Sequence, residues 1–205
     1  MKKRLMFVAF LVLTISIASG AFRYGGGGSY LAYQKFDLTG INTILAEQGF
    51  PQLKEDGFGY GGFGYGKVSG DIIVGGGGME ISLKGTKGNK VSNIKIESGG
   101  LYLAKQINFS DKFNMKIGSI LGGLDKTLVI QEITDDPFLN REYSIITESN
   151  FLFNPVVDLE YMITSFMSLQ VGVGKSFLVN HGEPTLDTIK YGKMPELYLR
   201  LGFGF

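Results

Sequence analysis

The sequence predicts an all-β protein in which eight antiparallel strands close into an up-and-down barrel. Two observations support this fold class. Apolar and polar residues alternate with a period of two over most of the chain, and turn residues separate the alternating segments. At 205 residues, the chain is long enough for one domain with a substantial core, so we expect a single domain.

The N-terminus has the pattern of a cleaved secretory signal peptide. A basic head at residues 2–4 precedes an apolar run from Leu5 to Ile17, and small residues follow. The run is shorter than the roughly 20 residues that a membrane-spanning helix needs, which disfavours the alternative of an uncleaved anchor. We therefore expect export, with residues 1–21 removed and residues 22–205 forming the barrel domain.

Alternation places eight strands along the exported chain. They are predicted at 22–36, 57–68, 72–84, 93–109, 112–125, 149–163, 166–179 and 194–205. Short connections such as 69–71 alternate strictly with longer, more polar ones such as 85–92 and 126–148, so all the short turns lie at one end. This asymmetry is typical of a transmembrane barrel with short periplasmic turns and long external loops, and strands of about 12 residues suit a tilted crossing.

The first long connection has the pattern of a short amphipathic helix. Asp37 is an N-cap candidate, Ile41, Ile44 and Leu45 recur at helical spacing, and Gly49 follows as the helix end. We expect a helix at residues 39–48, in the first external loop, with its apolar side packed at the barrel mouth. The alternative is a lid, or a docking face for a lipid or a partner.

The tract GFGYGGFGYG at residues 57–66 is interpreted as a barrel strand. Its Gly59-x-Gly61-x-x-Gly64 spacing matches the dinucleotide fingerprint, but phosphate binding would need a helix to follow, and a turn and another strand follow instead. The aromatic residues change parity across Gly61 and Gly62. We therefore predict a β-bulge there that keeps all four rings on the lipid face.

A soluble antiparallel barrel is the main structural alternative, because alternation does not say which face is inside. Three features favour the membrane barrel: a charged polar face that suits a narrow lumen, an aromatic and branched apolar face, and an aromatic residue at the end of the last strand. The residues predicted to form a polar network in the lumen are Glu80, Lys116, Asp158, Glu160 and Arg200. Asp158 and Glu160 could instead share acid and base roles, but a network of ion pairs is the favoured interpretation.

Composition and spacing disfavour several other chemistries. The absence of Cys excludes a thiolate site, and 20 basic against 19 acidic residues disfavour nucleic-acid binding. The single His, His181, lies near Ser176 and Glu183, and we interpret it as a solvated loop residue rather than a catalytic base. Asp135 and Asp136 are interpreted as part of a turn rather than as metal ligands. We expect no catalytic residue, no metal and no cofactor.

Together these features resemble the small eight-stranded outer-membrane β-barrel proteins, the OmpA/OmpX-like barrel family. The features that carry the resemblance are the signal peptide, the eight alternating strands and the terminal strand LYLRLGFGF. The resemblance implies a place in the bacterial outer membrane, contact with its lipid, and recognition by the barrel-assembly machinery. The implied insertion signal is Leu199, Leu201, Phe203 and Phe205. The chain departs from the family in its 31 glycines and its lack of Trp.

The functional expectation is a non-enzymatic integral outer-membrane barrel with a filled or narrow lumen and an envelope-structural or surface-interaction role. The alternative is small-molecule or lipid binding or transport through the interior, where the many glycines leave room. A lipid-modifying enzyme that uses His181 is less favoured. A general-diffusion pore is least favoured, because such channels have about 16 to 18 strands.

Overall fold

Antiparallel strands form a closed ring in the computed structural model, which describes residues 25–133, 141–180, 190–191 and 196–204. The elements are β1 (Gly25–Asp37), α1 (Thr39–Glu47), β2 (Asp56–Ser69), β3 (Ile72–Lys87), β4 (Lys90–Asn108), β5 (Phe113–Glu132), β6 (Arg141–Met162), β7 (Met167–Gly174), β8 (Phe177–Asn180), β9 (Lys190–Tyr191) and β10 (Glu196–Gly204). The ring closes where β10 pairs with β1 and Arg200 lies opposite Tyr30. The predicted all-β barrel with a short helix after its first strand is confirmed.

The strand segments of the described residues correspond to the eight predicted strands, except for β9, which lies in the predicted connection 180–193. β7 and β8 pair with β6 in one unbroken register, from Val156 opposite Gly174 to Phe153 opposite Phe177. They are two parts of the predicted seventh strand. The two residues of β9 pair with the end of β1, and β10 lies between β7 and β1. Closure gives the first and last strands a hydrogen-bonding neighbour on both sides, as a wall in lipid requires.

Strands β3 to β6 are longer than predicted. A two-residue turn joins β3 and β4, with Gly88 at φ 59°, so most of the predicted connection 85–92 is strand. β5 ends at Glu132 and β6 begins at Arg141, both inside the predicted connection 126–148. The expected strict alternation of short and long connections is therefore wrong at β3 and β4. Most outward residues of these strand ends are polar, including Ser82, Lys84 and Lys95. Their sequence therefore has few of the outward apolar residues that identify a lipid-facing strand.

The outward face of β6 carries an apolar band. Phe151, Phe153, Val157, Leu159 and Tyr161 are all exposed, whereas the even-numbered residues between them are buried or half-buried. Residues 151–161 extend about 33 Å along the strand, at roughly 3.3 Å per residue, and about 25 Å in height at a strand tilt near 40°. This height matches the lipid-facing band of outer-membrane barrels.

The two ends of the barrel differ. Short turns at residues 70–71, 109–112 and 163–166 lie at one end, here called the turn end. The opposite end is the loop end, which faces the cell exterior in the usual orientation of such barrels. At the loop end, Glu80, Glu97 and Asp125 form an outward cross-strand row with Ser149, just beyond the apolar band. Strands β3 to β6 thus continue past the lipid as a polar-surfaced extension.

No helix in the described part of the chain is long and apolar enough to cross a membrane. The one helix described in this chain, α1, has nine residues.

β2 has no bulge at Gly61 and Gly62, which corrects the sequence-based expectation. Its pairing with β1 runs without a shift along the whole contact, and its irregularity against β3 lies between Lys67 and Ser69. The parity change of the aromatic residues is therefore real. Phe58 and Tyr60 face outward at 65% and 66% exposure, whereas Phe63 and Tyr65 are on the opposite face of the strand, inside the barrel.

Helix α1 closes the loop end of the lumen. The buried side chains of α1 and its flanking residues pack in one apolar cluster with the inward side chains of β3 and β4; the helix side contributes Leu38, Ile41, Leu45, Phe50 and Leu53, and the strands contribute Ile81, Leu83, Ile94 and Ile96. Asn42 holds the returning segment, because its Nδ2 donates to the Leu53 carbonyl (3.0 Å) and its Oδ1 accepts from Leu53 N (2.8 Å). We call residues 38–55 the plug.

Leu45→Ala should loosen the plug, whereas Ile44→Ala should not. Leu45 is 1% exposed and Ile44, one residue earlier on the same helix, is 45% exposed. Truncation of a buried leucine costs about 2–5 kcal/mol, and this loss should appear as faster proteolysis within the plug. The barrel wall itself should stay folded in both variants, so both should keep the faster gel mobility of an unheated, folded barrel. Equal proteolysis of the two variants would contradict a packed plug.

Candidate functional site in the barrel lumen

Four charged side chains meet inside the barrel, nearer the turn end. Lys116 on β5, Asp158 and Glu160 on β6, and Arg200 on β10 all occupy inward positions between outward apolar residues. Lys116, Asp158 and Glu160 have no exposed surface, and Arg200 is 4% exposed. The structure thus brings together four of the five residues that the sequence predicts for a lumen network.

Glu160 is surrounded by donors. Lys116 Nζ lies 2.9 Å from Glu160 Oε2, and the same ammonium lies 3.9 Å from the centre of the Tyr65 ring. Tyr65 Oη and Gln170 Nε2 each donate to Glu160 Oε1 at 2.8 Å. Buried charges are tolerated when they are paired and hydrogen-bonded, and Glu160 meets both conditions.

Asp158 forms the second half of the cluster. Tyr102 Oη donates to Oδ2 at 2.7 Å, Tyr198 Oη donates to Oδ1, and Arg200 Nη1 lies 3.4 Å from Oδ2. The Arg200 guanidinium is also 4.3 Å from the centre of the Tyr198 ring and 5.1 Å from that of Phe63. Aromatic faces attract a desolvated cation, so the rings stabilise Arg200 where water is excluded.

The lumen cluster is the name used below for Lys116, Asp158, Glu160, Arg200, Tyr65, Tyr102, Gln170 and Tyr198. Its two cations and two carboxylates balance, so the lumen holds no net charge from these residues. The register explains the contacts, because Lys116 lies opposite Asp158 and Gln170 lies between Glu160 and Arg200.

Glu80 does not belong to the lumen cluster, which corrects its predicted place. It lies on the outward face of β3 and forms an exposed ion pair with Lys95 at 2.8 Å. Its inward neighbours on the same strand are the apolar Met79 and Ile81. Beyond the apolar band the relation between polarity and face is inverted, because the outside meets water and the inside packs against the plug.

The lumen cluster leaves almost no free space around its acidic groups. The cavity beside Tyr198 and Arg200 has a volume of about 20 Å³, which is room for roughly one water molecule. A Cβ on Gly172 would collide with the Tyr198 ring and with Asp158 Oδ1, so even the wall glycines are in close contact. Because donors occupy both carboxylates and the cavity beside Tyr198 and Arg200 holds about one water molecule, the arrangement is suited to closing the lumen.

Sequence reasoning missed the aromatic and amide members of the cluster. Tyr65, Tyr102 and Tyr198 hold the two carboxylates, yet Tyr65 was expected on the lipid face and neither Tyr102 nor Tyr198 was expected in the network. The usable signal is their parity, since Tyr102 and Tyr198 alternate with outward leucines. A second buried pair, Lys126 and Glu148 at 3.6 Å, was also missed, because both residues lie in a segment predicted to be a loop.

The remaining predicted residues are only partly described. Leu199, Leu201 and Phe203 face outward at 46%, 40% and 48% exposure, and their role as an insertion signal stays a prediction. Ser176 lies between β7 and β8. The signal peptide, Asp135, Asp136, His181, Glu183 and Phe205 lie outside the described residues. Within the described ranges, no group of three or more acidic, His or Cys side chains could hold a metal ion.

Comparison with known proteins supports the fold. Neither a protein-family model nor a curated protein matches the chain. Two crystal structures of Ail, the attachment invasion locus protein of Yersinia pestis, superpose with TM-scores of 0.54 and 0.53; one is a complex with the heparin analogue sucrose octasulfate. They are 10% and 11% identical in sequence, and each match covers 89% of this chain and 97% of Ail. Neisserial surface protein A matches with a TM-score of 0.46, 11% identity, and coverage of 88% of this chain and 94% of that protein. The chain therefore has the fold of the small eight-stranded outer-membrane β-barrel proteins, which its sequence also resembles.

Proposed function

We propose that the protein is a non-enzymatic integral outer-membrane barrel with a filled lumen, and that its loop-end surface carries an envelope-structural or surface-interaction role. The observation that carries this proposal is the closure of the lumen at two levels. The plug packs the loop end with apolar side chains, and the lumen cluster fills the space nearer the turn end with neutralised charges. A solute would have to displace both.

The filled middle of the lumen argues against a carrier that passes its ligand through the barrel. Binding sites for small molecules have volumes of about 300–1,000 Å³, whereas the cavity beside the lumen cluster holds about 20 Å³. Some of the glycines that seemed to leave room for a ligand are close to the protein's own rings. A Cβ on Gly26 would lie 3.0 Å from Tyr65 Cζ, and a Cβ on Gly202 would lie 3.4 Å from Phe63 Cζ.

The extension supports a role at the cell surface. It raises the β3–β4 hairpin beyond the apolar band, and the hairpin tip carries Lys84, Lys87 and Lys90. Lys84 and Lys87 are exposed, and Lys90 lies 4.7 Å from the centre of the Phe50 ring of the plug. A raised basic tip suits an anionic polymer, and the heparin analogue present in the Ail complex provides a suitable probe.

The double variant Lys84→Gln/Lys87→Gln should weaken binding of sucrose octasulfate to the protein in lipid nanodiscs by about fivefold, since two exposed charges are removed. Calorimetry at low ionic strength measures this affinity. The matched control is Lys105→Gln/Lys112→Gln, which removes the same charge from exposed positions near the turn end. Equal loss in both variants, or no binding by the unchanged protein, would contradict a polyanion-binding tip.

A further inference from the structure

A polar recess opens at the turn end of the barrel. It has a volume of about 380 Å³, within the range of small-molecule sites, and is lined by Gln106, Asn108, Phe109, Ser110, Asp111, Asn114 and Met162. It lies below the lumen cluster, since Asn114 pairs across strands with Glu160 and Gln106 pairs with Lys116. We call this space the vestibule.

Two buried acceptors in the vestibule lack a partner among the described residues. They are Oε1 of Gln106, which is 8% exposed, and Oδ1 of Asn114, which is 6% exposed. The orientation of Asn114 is fixed because its amide donates to the Glu160 carboxylate, which only accepts. The Gln106 Nε2 donates to Asn108 Oδ1, so Gln106 Oε1 is left free. A buried acceptor without a donor costs free energy, and a ligand with donors would recover it.

The charges around the vestibule favour a cation. Asp111 is the one charged residue among those that line it in the described chain, and Lys116 behind it is already paired with Glu160. Lys112 follows Asp111 in the turn but does not line the space. An excess of acceptors beside a carboxylate selects a ligand that donates several hydrogen bonds and is positively charged.

We propose that the vestibule is a binding site for a small organic cation with primary ammonium groups, reached from the turn end. One ammonium contacts Asp111 near the surface, and the deeper donors meet Gln106 Oε1 and Asn114 Oδ1. The site does not use the plug or the hairpin tip, so it is independent of the function proposed for the loop end.

Titration of the protein in nanodiscs with 1,4-diaminobutane tests this site, with 1,4-butanediol as the uncharged control of the same length. Side-chain amide signals of Gln106 and Asn114 should shift saturably with the diamine in the millimolar range and should not shift with the diol. Asp111→Asn should weaken binding roughly three- to tenfold. The matched control is Asp71→Asn at the neighbouring turn, where Asp71 pairs with Lys67 at 3.0 Å outside the vestibule, and it should leave the affinity unchanged.

A second variant tests the buried acceptor. Gln106→Met removes Oε1 and should also weaken binding of the diamine, measured from the side-chain amide signal of Asn114. If this variant fails to fold, the comparison of Asp111→Asn with Asp71→Asn still tests the site. The proposal is overturned if the diamine gives no saturable shift, if the diol shifts the same amides equally, or if the two aspartate variants bind alike.

Discussion

Lys116→Met should lower the free energy of unfolding by about 3–5 kcal/mol, the largest loss expected from a single substitution in the lumen. The substitution keeps most of the side-chain volume but leaves Glu160 without its ammonium partner. Glu160 is fully buried, so water cannot solvate its carboxylate in place of the lost ammonium. Urea-induced unfolding in lipid vesicles, followed by the gel mobility of unheated samples, measures the change.

Two comparisons make this result specific to the buried pair. Lys95→Met removes an ammonium that also contacts two carboxylates, Glu80 and Glu97, but on the exposed outer face, and it should have little effect. The double variant Lys116→Met/Glu160→Gln should recover more than half of the loss, because no charge is then stranded. A double variant as unstable as Lys116→Met would show that packing, rather than charge balance, explains the loss.

Gly172→Ala should destabilise the barrel by about 1–3 kcal/mol, although alanine is normally preferred over glycine in a strand. The added methyl group would occupy the space of the Tyr198 ring and of Asp158 Oδ1, which are both held by the lumen cluster. The same urea titration measures the loss. Gly123→Ala is the matched control: Gly123 faces outward, and its nearest atom, the Asn150 carbonyl oxygen, would lie 4.0 Å from the new Cβ.

Stability of Gly123→Ala should therefore equal that of the unchanged protein within about 0.5 kcal/mol. If Gly172→Ala is equally well tolerated, the close packing described for the Tyr198 ring does not hold. If both variants are destabilised alike, the loss of stability comes from adding a methyl group to the barrel wall and not from contact with the lumen cluster.

The parts of the fold that lie within the lipid could be predicted from the sequence. In β6 the outward residues Phe151 to Tyr161 are apolar, and this alternation alone placed Asp158 and Glu160 inside. Lys116 and Arg200 followed from the same argument in their strands. A strand with one face in lipid has the simplest pattern to interpret, because one of its two faces must be apolar throughout.

The loop end was harder to predict for a physical reason. Above the lipid, the outer face of β3 meets water and the inner face packs on α1, so Glu80 lies outside and Ile81 lies inside. The polarity of the faces is inverted within one continuous strand. Four glycines, Gly75–Gly78, separate the two parts of β3. They have no side chains whose polarity would indicate which face of the strand is outward.

The faces of the aromatic residues in β2 were also predicted wrongly. The prediction added a bulge so that all four rings would face lipid, whereas the strand is regular and two rings point inward. Tyr65 then reaches Glu160, on a strand 95 residues later in the chain. Such a contact depends on ring closure and on which strands face each other across the lumen, and local alternation does not contain that information.

Current recording across a planar lipid bilayer tests most directly the claim that the lumen is closed at two levels. Insertion of the protein should produce no stable conductance, and the plug variant Leu45→Ala should also give none because the lumen cluster remains. Discrete and reproducible openings from the unchanged protein would contradict closure at two levels, since ions could then pass both the plug and the lumen cluster.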